Sequence, residues 1–271
     1  MNKKRICLLA LLLPLLGHAQ DHTVLEPVRL ECRYLERSML DTLARVSMPD
    51  TMILQVGARS SAFFSKDRVF VDSLWSTRGG FNEWIALMRQ YLQEGHIEDL
   101  TSNDVKYYYF DYPESGFVTT RTEIGRQGVE FTEEREALCW EFRDSVKTVL
   151  GYECHLAEAD FRGRHWIAWY TLEVPVSAGP WKLWGLPGLI CEAYDSKDWF
   201  HYSLVALTPN PGRDLRLYNW HKSYQKTTRI QFYRARERNG ELQIEQARQS
   251  GLGGLVPGDT HRPGHKELDW K

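Results

Sequence analysis

Between Val105 and Leu207 the chain is a succession of short segments rich in Val, Ile, Tyr, Phe and Trp, punctuated by Gly, Pro and Asp. No unbroken apolar stripe of helical length survives those breaks, so the region predicts strands joined by tight turns. Val105–Asp111 and Phe117–Thr122 flank Pro113-Glu114-Ser115-Gly116 and predict a hairpin. Further strands are expected near 129–131, 138–142, 152–161, 164–171, 189–194 and 199–207, with a tight turn at Arg162-Gly163-Arg164. Val24–Tyr34 and Thr51–Gly57 add two strands upstream.

Two segments predict helices. Phe81, Trp84, Ile85, Met88, Tyr91 and Leu92 recur at helical spacing between Gly80 and Gly95. Thr227–Arg238 reads as a second, basic-faced helix with Thr227 as its cap. The expected fold is therefore α+β: a predominantly antiparallel, strongly curved β-sheet, in the form of a half-open barrel, with two or so helices packed on one side.

The ends read differently. Lys3, Lys4 and Arg5 precede an apolar run from Ile6 to Leu16, followed by Gly17 and Ala19, which predicts a signal peptide over residues 1–19. The run is too short for a transmembrane helix. A single domain is expected over 20–249, and the Gly- and Pro-rich residues 250–271 predict a flexible tail. With no second long apolar run, no integral membrane segment is expected after cleavage. Losing three positive charges leaves the remainder more acidic than the whole chain's −2, which offers no basic footprint for nucleic acid. The expected location is outside the cytoplasm: periplasmic, outer-membrane-associated or extracellular.

Export makes disulfides an expectation for Cys32, Cys139, Cys154 and Cys191, in any of three connectivities. A hairpin of 136–143 against 152–161 sets Cys139 opposite Cys154, the favoured pair. Four reduced, buried thiols are the alternative.

The most distinctive local sequence is Trp181–Lys197, which contains Gly185-Leu186-Pro187-Gly188-Leu189-Ile190. Glycine at 185 and 188 permits left-handed backbone or close approach, and Pro187 fixes one turn angle. The hexapeptide resembles the signature of the GLPGLI family, secreted proteins of Bacteroidetes with no established activity. Lys147–Cys154, Phe161–Arg164 and Ala168–Val176 are similar to further blocks of that family in the same order. Trp184 is a departure, standing where the family varies. The resemblance implies a secreted protein accessory to outer-membrane TonB-dependent receptors.

Candidate binding residues follow from the chemistry at hand. Arg162 and Arg164 straddle a turn and could clamp a carboxylate or phosphate, although pairing with Asp or Glu is the plainer reading. Trp166 and Tyr170 share one strand face, Trp169 and Glu173 the other. Trp181 and Trp184 would wall a groove, or else brace a loop entering a strand. Cys154-His155 cannot act as a thiol–imidazole pair, because adjacent strand residues face opposite ways. No nucleotide, hydrolase or metal motif appears, and neither cofactor nor metal is expected. Three readings result: a non-enzymatic binder of a small ligand or receptor, a peptide or glycan hydrolase using Glu173, Glu192 and Arg162, or a structural surface protein.

Overall fold

A computed structural model describes residues 22–94, 104–249 and 265–270. The expected signal peptide and residues 250–264 of the expected tail lie outside them. The chain opens with β1 (His22–Pro27), β2 (Leu30–Asp41), β3 (Val46–Val56) and β4 (Ser61–Ser65). Helices α1 (Lys66–Trp75) and α2 (Gly80–Glu94) follow, then β5 (Tyr107–Phe110), β6 (Phe117–Ile124) and β7 (Gln127–Glu134). Next come β8 (Glu141–Val149), β9 (Tyr152–Phe161), β10 (Arg164–Thr171), β11 (Leu189–Asp195) and β12 (Phe200–Pro209). β13 (Asp214–Tyr218), β14 (Tyr224–Lys226) and α3 (Arg229–Gln249) complete the described elements. None of the described helices is long and apolar enough to cross a membrane.

Twelve strands form one sheet in the order β14-β7-β6-β5-β4-β3-β2-β12-β11-β10-β9-β8, and β1 pairs with β13 in a separate ribbon. Pairing is antiparallel except between β14 and β7. The sheet rolls strongly without closing. β7 and β9 stand near opposite ends of its order, yet Arg162, just past β9, donates to Glu133 of β7 at 2.8 Å. The expected curved, antiparallel α+β fold is the observed one.

Alternation explains which face is which. In β2, Cys32, Tyr34, Glu36 and Ser38 are buried while Arg33, Leu35 and Arg37 are exposed. The concave face gathers Tyr34, Met52, Phe63, Tyr108, Trp166, Ala168, Ile190 and Tyr202 into the main core. The connection between β10 and β11 folds over it and contributes Trp181, Leu183 and Leu186. α3 covers the β7 side by setting Phe232 and Tyr233 on Val129 and Phe131. The β1–β13 ribbon instead lies on the convex face, where Leu215 and Leu217 cover Ile53, Phe64 and Tyr109. Full burial of each such side chain contributes about 1.5–3 kcal/mol, so the aromatic lining dominates the fold's stability.

Several elements depart from expectation for visible reasons. Val24–Tyr34 is not one strand: the chain breaks at Val28-Arg29, so that β1 leaves for the ribbon and β2 enters the main sheet. The strand expected at 138–142 begins at Glu141 instead and runs to Val149. α3 starts two residues after Thr227. Thr228 caps it, its hydroxyl accepting from the Gln231 amide at 3.3 Å while Gln231 Oε1 accepts from the Thr228 amide at 3.4 Å.

The favoured disulfide is not formed. Cys139 is exposed ahead of β8, whereas Cys154 is buried and stands opposite Lys147 in the register. Cys32, Cys154 and Cys191 are free thiols of the concave core, and burial pushes Cys32 up to about 12. Of the four cysteines among the described residues, alkylation of the native protein is expected to modify Cys139 alone, the other three reacting only after denaturation. Intact-mass spectrometry with and without urea reads this directly; a native protein lacking a reactive thiol would contradict it.

Part of the expected tail is packed against the body. Residues 265–270 lie on the concave face, with Glu267 and Trp270 buried.

Candidate functional site

The residues singled out in sequence divide between core and surface. Trp166 and Trp181 are fully buried, their rings 5.1 Å apart, and Tyr170 is buried against Phe142 and His155. Trp169 faces the other way, under the Lys147 ammonium at 4.4 Å. Glu173 is exposed and accepts the Glu153 amide at 3.0 Å. Glu192 lies on the convex face, bound by His201 at 3.0 Å and Lys147 at 2.5 Å. Glu173, Glu192 and Arg162 share no contact, so the trio does not assemble a hydrolytic centre.

The Gly185–Ile190 segment serves the fold. Leu186, Leu189 and Ile190 are buried, and the Ile190 carbonyl accepts the Tyr34 hydroxyl at 2.7 Å. Gly185 has a φ of 95°, and a Cβ at Gly188 would fall 1.9 Å from the Thr171 carbonyl oxygen. Trp184 is half-buried: Arg135 covers its ring at 4.0 Å, its indole donates to Glu136, and its carbonyl accepts from Trp140. Through these contacts Trp181 and Trp184 brace the loop.

Arg162 and Arg164 pair with carboxylates, as the plainer reading held, and both also hold the C-terminal segment. Arg162 and Gly163 both have positive φ, 52° and 76°, the geometry of a two-residue hairpin turn. That turn leaves the Arg162 carbonyl free to accept the Leu268 amide at 2.9 Å. Arg164 donates to the carbonyls of Lys266 (3.1 Å) and His265 (2.6 Å), and to Asp195 at 2.9 Å. Arg162 and Arg229 grip Asp269, and Lys182 and Arg229 grip Glu267. Burial pushes the Glu267 carboxyl up, but Lys182 and Arg229 hold it below the usual range. On the opposite side, Lys266 reaches Glu36 at 2.6 Å and Asp104 at 3.1 Å.

A groove on the convex face escaped sequence reasoning. It encloses about 540 Å³ between β2, β3, β4 and β13. Ile53, Phe64 and Val69 form its apolar floor. Tyr218 stands edge-on to Phe64 at 5.7 Å and stacks on Trp220 at 5.0 Å. Arg33, Lys66, Arg213 and Arg216 surround that floor. Arg213 is engaged by Glu31 at 3.3 Å, itself fixed by Gln55. Arg33, Lys66 and Arg216 have no ion-pair partner among the described residues, and the Arg216 Nε is shielded from solvent without an acceptor. Burial raises the Tyr218 hydroxyl while Arg216 and Arg213 pull it down; the net direction is up, so at neutral pH it is a donor. Four buried or half-buried cations elsewhere are paired. Arg68, Arg121, Arg164 and Lys266 each have a carboxylate within 2.9 Å.

Comparison with known proteins yields a short match. A family model described as "Protein of unknown function (Porph_ging)" matches residues 162–192, the stretch from the β9–β10 turn into β11. No curated protein matches the chain. Two solved structures of PNGF-II, in space groups P21 and C2, are similar at 9% identity and a TM-score of 0.49. The likeness covers 78% of this chain and 34% and 33% of those chains, so this protein spans about a third of their length. Over residues 162–192 the chain is thus similar to a family whose function is not established.

Proposed function

We propose that this is an exported, non-enzymatic protein of the cell envelope that binds a small anionic ligand in the convex groove. The observation carrying this reading is half-buried Arg216, whose Nε is shielded without an acceptor and which has no carboxylate partner among the described residues, beside two further cations without one. A guanidinium so placed suits a carboxylate, sulfonate or phosphate, which it can meet through two parallel bonds. The floor of Ile53, Phe64 and Val69 suits a flat apolar body attached to that anion. Resemblance to the GLPGLI family adds the expectation that a TonB-dependent receptor is the partner and that the binder is accessory to uptake. A receptor recovered by crosslinking and purification from native envelopes supports that part of the reading; protein recovered alone removes it.

The groove is tested with 8-anilinonaphthalene-1-sulfonate, whose sulfonate and fused rings match the two halves of the site. Saturable fluorescence is expected, weakening with salt. Arg216→Ala is expected to cost at least about tenfold in affinity, since a hydrogen bond to a charged group contributes roughly 1.5–3 kcal/mol. A folded Arg216→Ala protein binding the dye as before would show that the groove is not the site.

A further inference from the structure

The C-terminal segment is held as a bound peptide is held. Its backbone enters no sheet ladder; one amide, that of Leu268, donates to the body, at the Arg162 carbonyl. Side chains supply the recognition. Arg164 reads two consecutive carbonyls, Lys182 and Arg229 read Glu267, Arg162 and Arg229 read Asp269, and Glu36 with Asp104 read Lys266. Trp270 lies on Tyr233, rings 5.8 Å apart and nearly parallel, and this is the segment's apolar anchor. The order of charges in the seat is thus the complement of Lys-Glu-Leu-Asp-Trp.

The seat is shaped for that backbone. A Cβ at Gly163 would lie 2.9 Å from the Leu268 Cβ, so the turn glycine makes room for the segment. The fit is also incomplete. Glu36 is fully buried, and its Oε2 has no partner although Oε1 takes both Lys266 and Ser38. Buried ion pairs lose in desolvation much of what they gain in attraction, so so many charges hold register better than they hold tightly.

We propose that this seat is an exchangeable peptide site, filled here by the chain's own residues 265–270 and open to the same segment of a second copy. Exchange of an identical element between copies needs only that the connection allow it, and residues 250–264, rich in Gly and Pro, supply a long one.

The test keeps the full chain and weakens the resident segment by Asp269→Ala with Trp270→Ala. The probe is a fluorescein-labelled heptapeptide of sequence HKELDWK, compared with HEKLDWK, in which the first two charges are exchanged. The doubly substituted protein is expected to bind HKELDWK at least tenfold more tightly than HEKLDWK, and at least tenfold more tightly than the unsubstituted protein does. A folded variant that binds neither peptide, or both equally, overturns the proposal. Should the variant fail to fold, hydrogen exchange on the unsubstituted protein decides. A Leu268 amide exchanging at least tenfold faster than that of Ala168 in β10 supports release without unfolding. Equal rates would make the segment an inseparable part of the core and overturn the proposal.

Discussion

Replacing Gly188 by alanine is expected to destabilise the protein more than any other single methyl group added to the hexapeptide. The new Cβ would stand 1.9 Å from the Thr171 carbonyl oxygen and 2.8 Å from its carbon. Both are backbone atoms at the end of β10 and cannot turn aside as a side chain would. The loop entering β11 must therefore lift, and it carries Leu186, Leu189 and Ile190 out of the core with it. Overpacking of this kind costs about 3 kcal/mol or more, against a total stability on the order of 5–15 kcal/mol. Gly185→Ala is the internal comparison. Its Cβ would meet the Trp140 ring at an ordinary 3.5 Å, so the cost reduces to backbone strain at positive φ, about 1–2 kcal/mol. Urea denaturation of the two variants ranks them; a Gly188→Ala midpoint at or above that of Gly185→Ala would contradict the close-approach argument.

The second large effect is expected for Arg164→Ala. The change strands Asp195, 2% exposed, whose Oδ1 also accepts the amides of Trp199 and Phe200. Removing one partner of a buried pair costs roughly 3–5 kcal/mol, because an uncompensated charge remains in a poorly polarisable interior. Arg164→Lys keeps the charge but not the fork that reaches both Asp195 and the carbonyls of 265 and 266, so an intermediate loss is expected. The double change Arg164→Met with Asp195→Leu removes both charges and is expected to recover part of the loss. Equilibrium unfolding of the three proteins separates the cases, and a double variant less stable than Arg164→Ala would show that the charge pair itself stabilises the fold.

β9 and β10 were legible because one face of each is partly exposed. β9 and β10 fall at 152–161 and 164–171, as the alternation and the Arg162-Gly163 turn indicate. β4 was not legible, since Ser61–Ser65 is buried on both faces, Phe63 in the concave core and Phe64 under the ribbon, and so does not alternate. α1 begins at a Ser65 cap directly against that strand, with no turn residue to announce it. The arginines of the β9–β10 turn read in sequence as a clamp for an anion or as partners of Asp and Glu. What constrains them lies about a hundred residues downstream, in a stretch whose composition argued for disorder. The convex groove was invisible for a related reason. Arg33, Lys66 and Arg216 come from β2, α1 and β13, and no sequence spacing links residues that only the folded sheet and its ribbon bring together.

A rolled sheet left open keeps two free rims, and a free rim invites another strand. Both rims here are poor templates. β14 offers three residues in parallel pairing, too short to seed a ladder. β8 is longer, but its register slips between Arg143 and Val146, bending the rim where Asp144 and Ser145 intrude, and Arg143 and Lys147 place charge on either side. Phe142 and Val146 are exposed on that same strand, so the irregularity guards an otherwise apolar edge against pairing with a second copy. Straightening the β8 rim would therefore leave an edge able to pair with the β8 rim of a second copy, with the twelve-strand interior untouched.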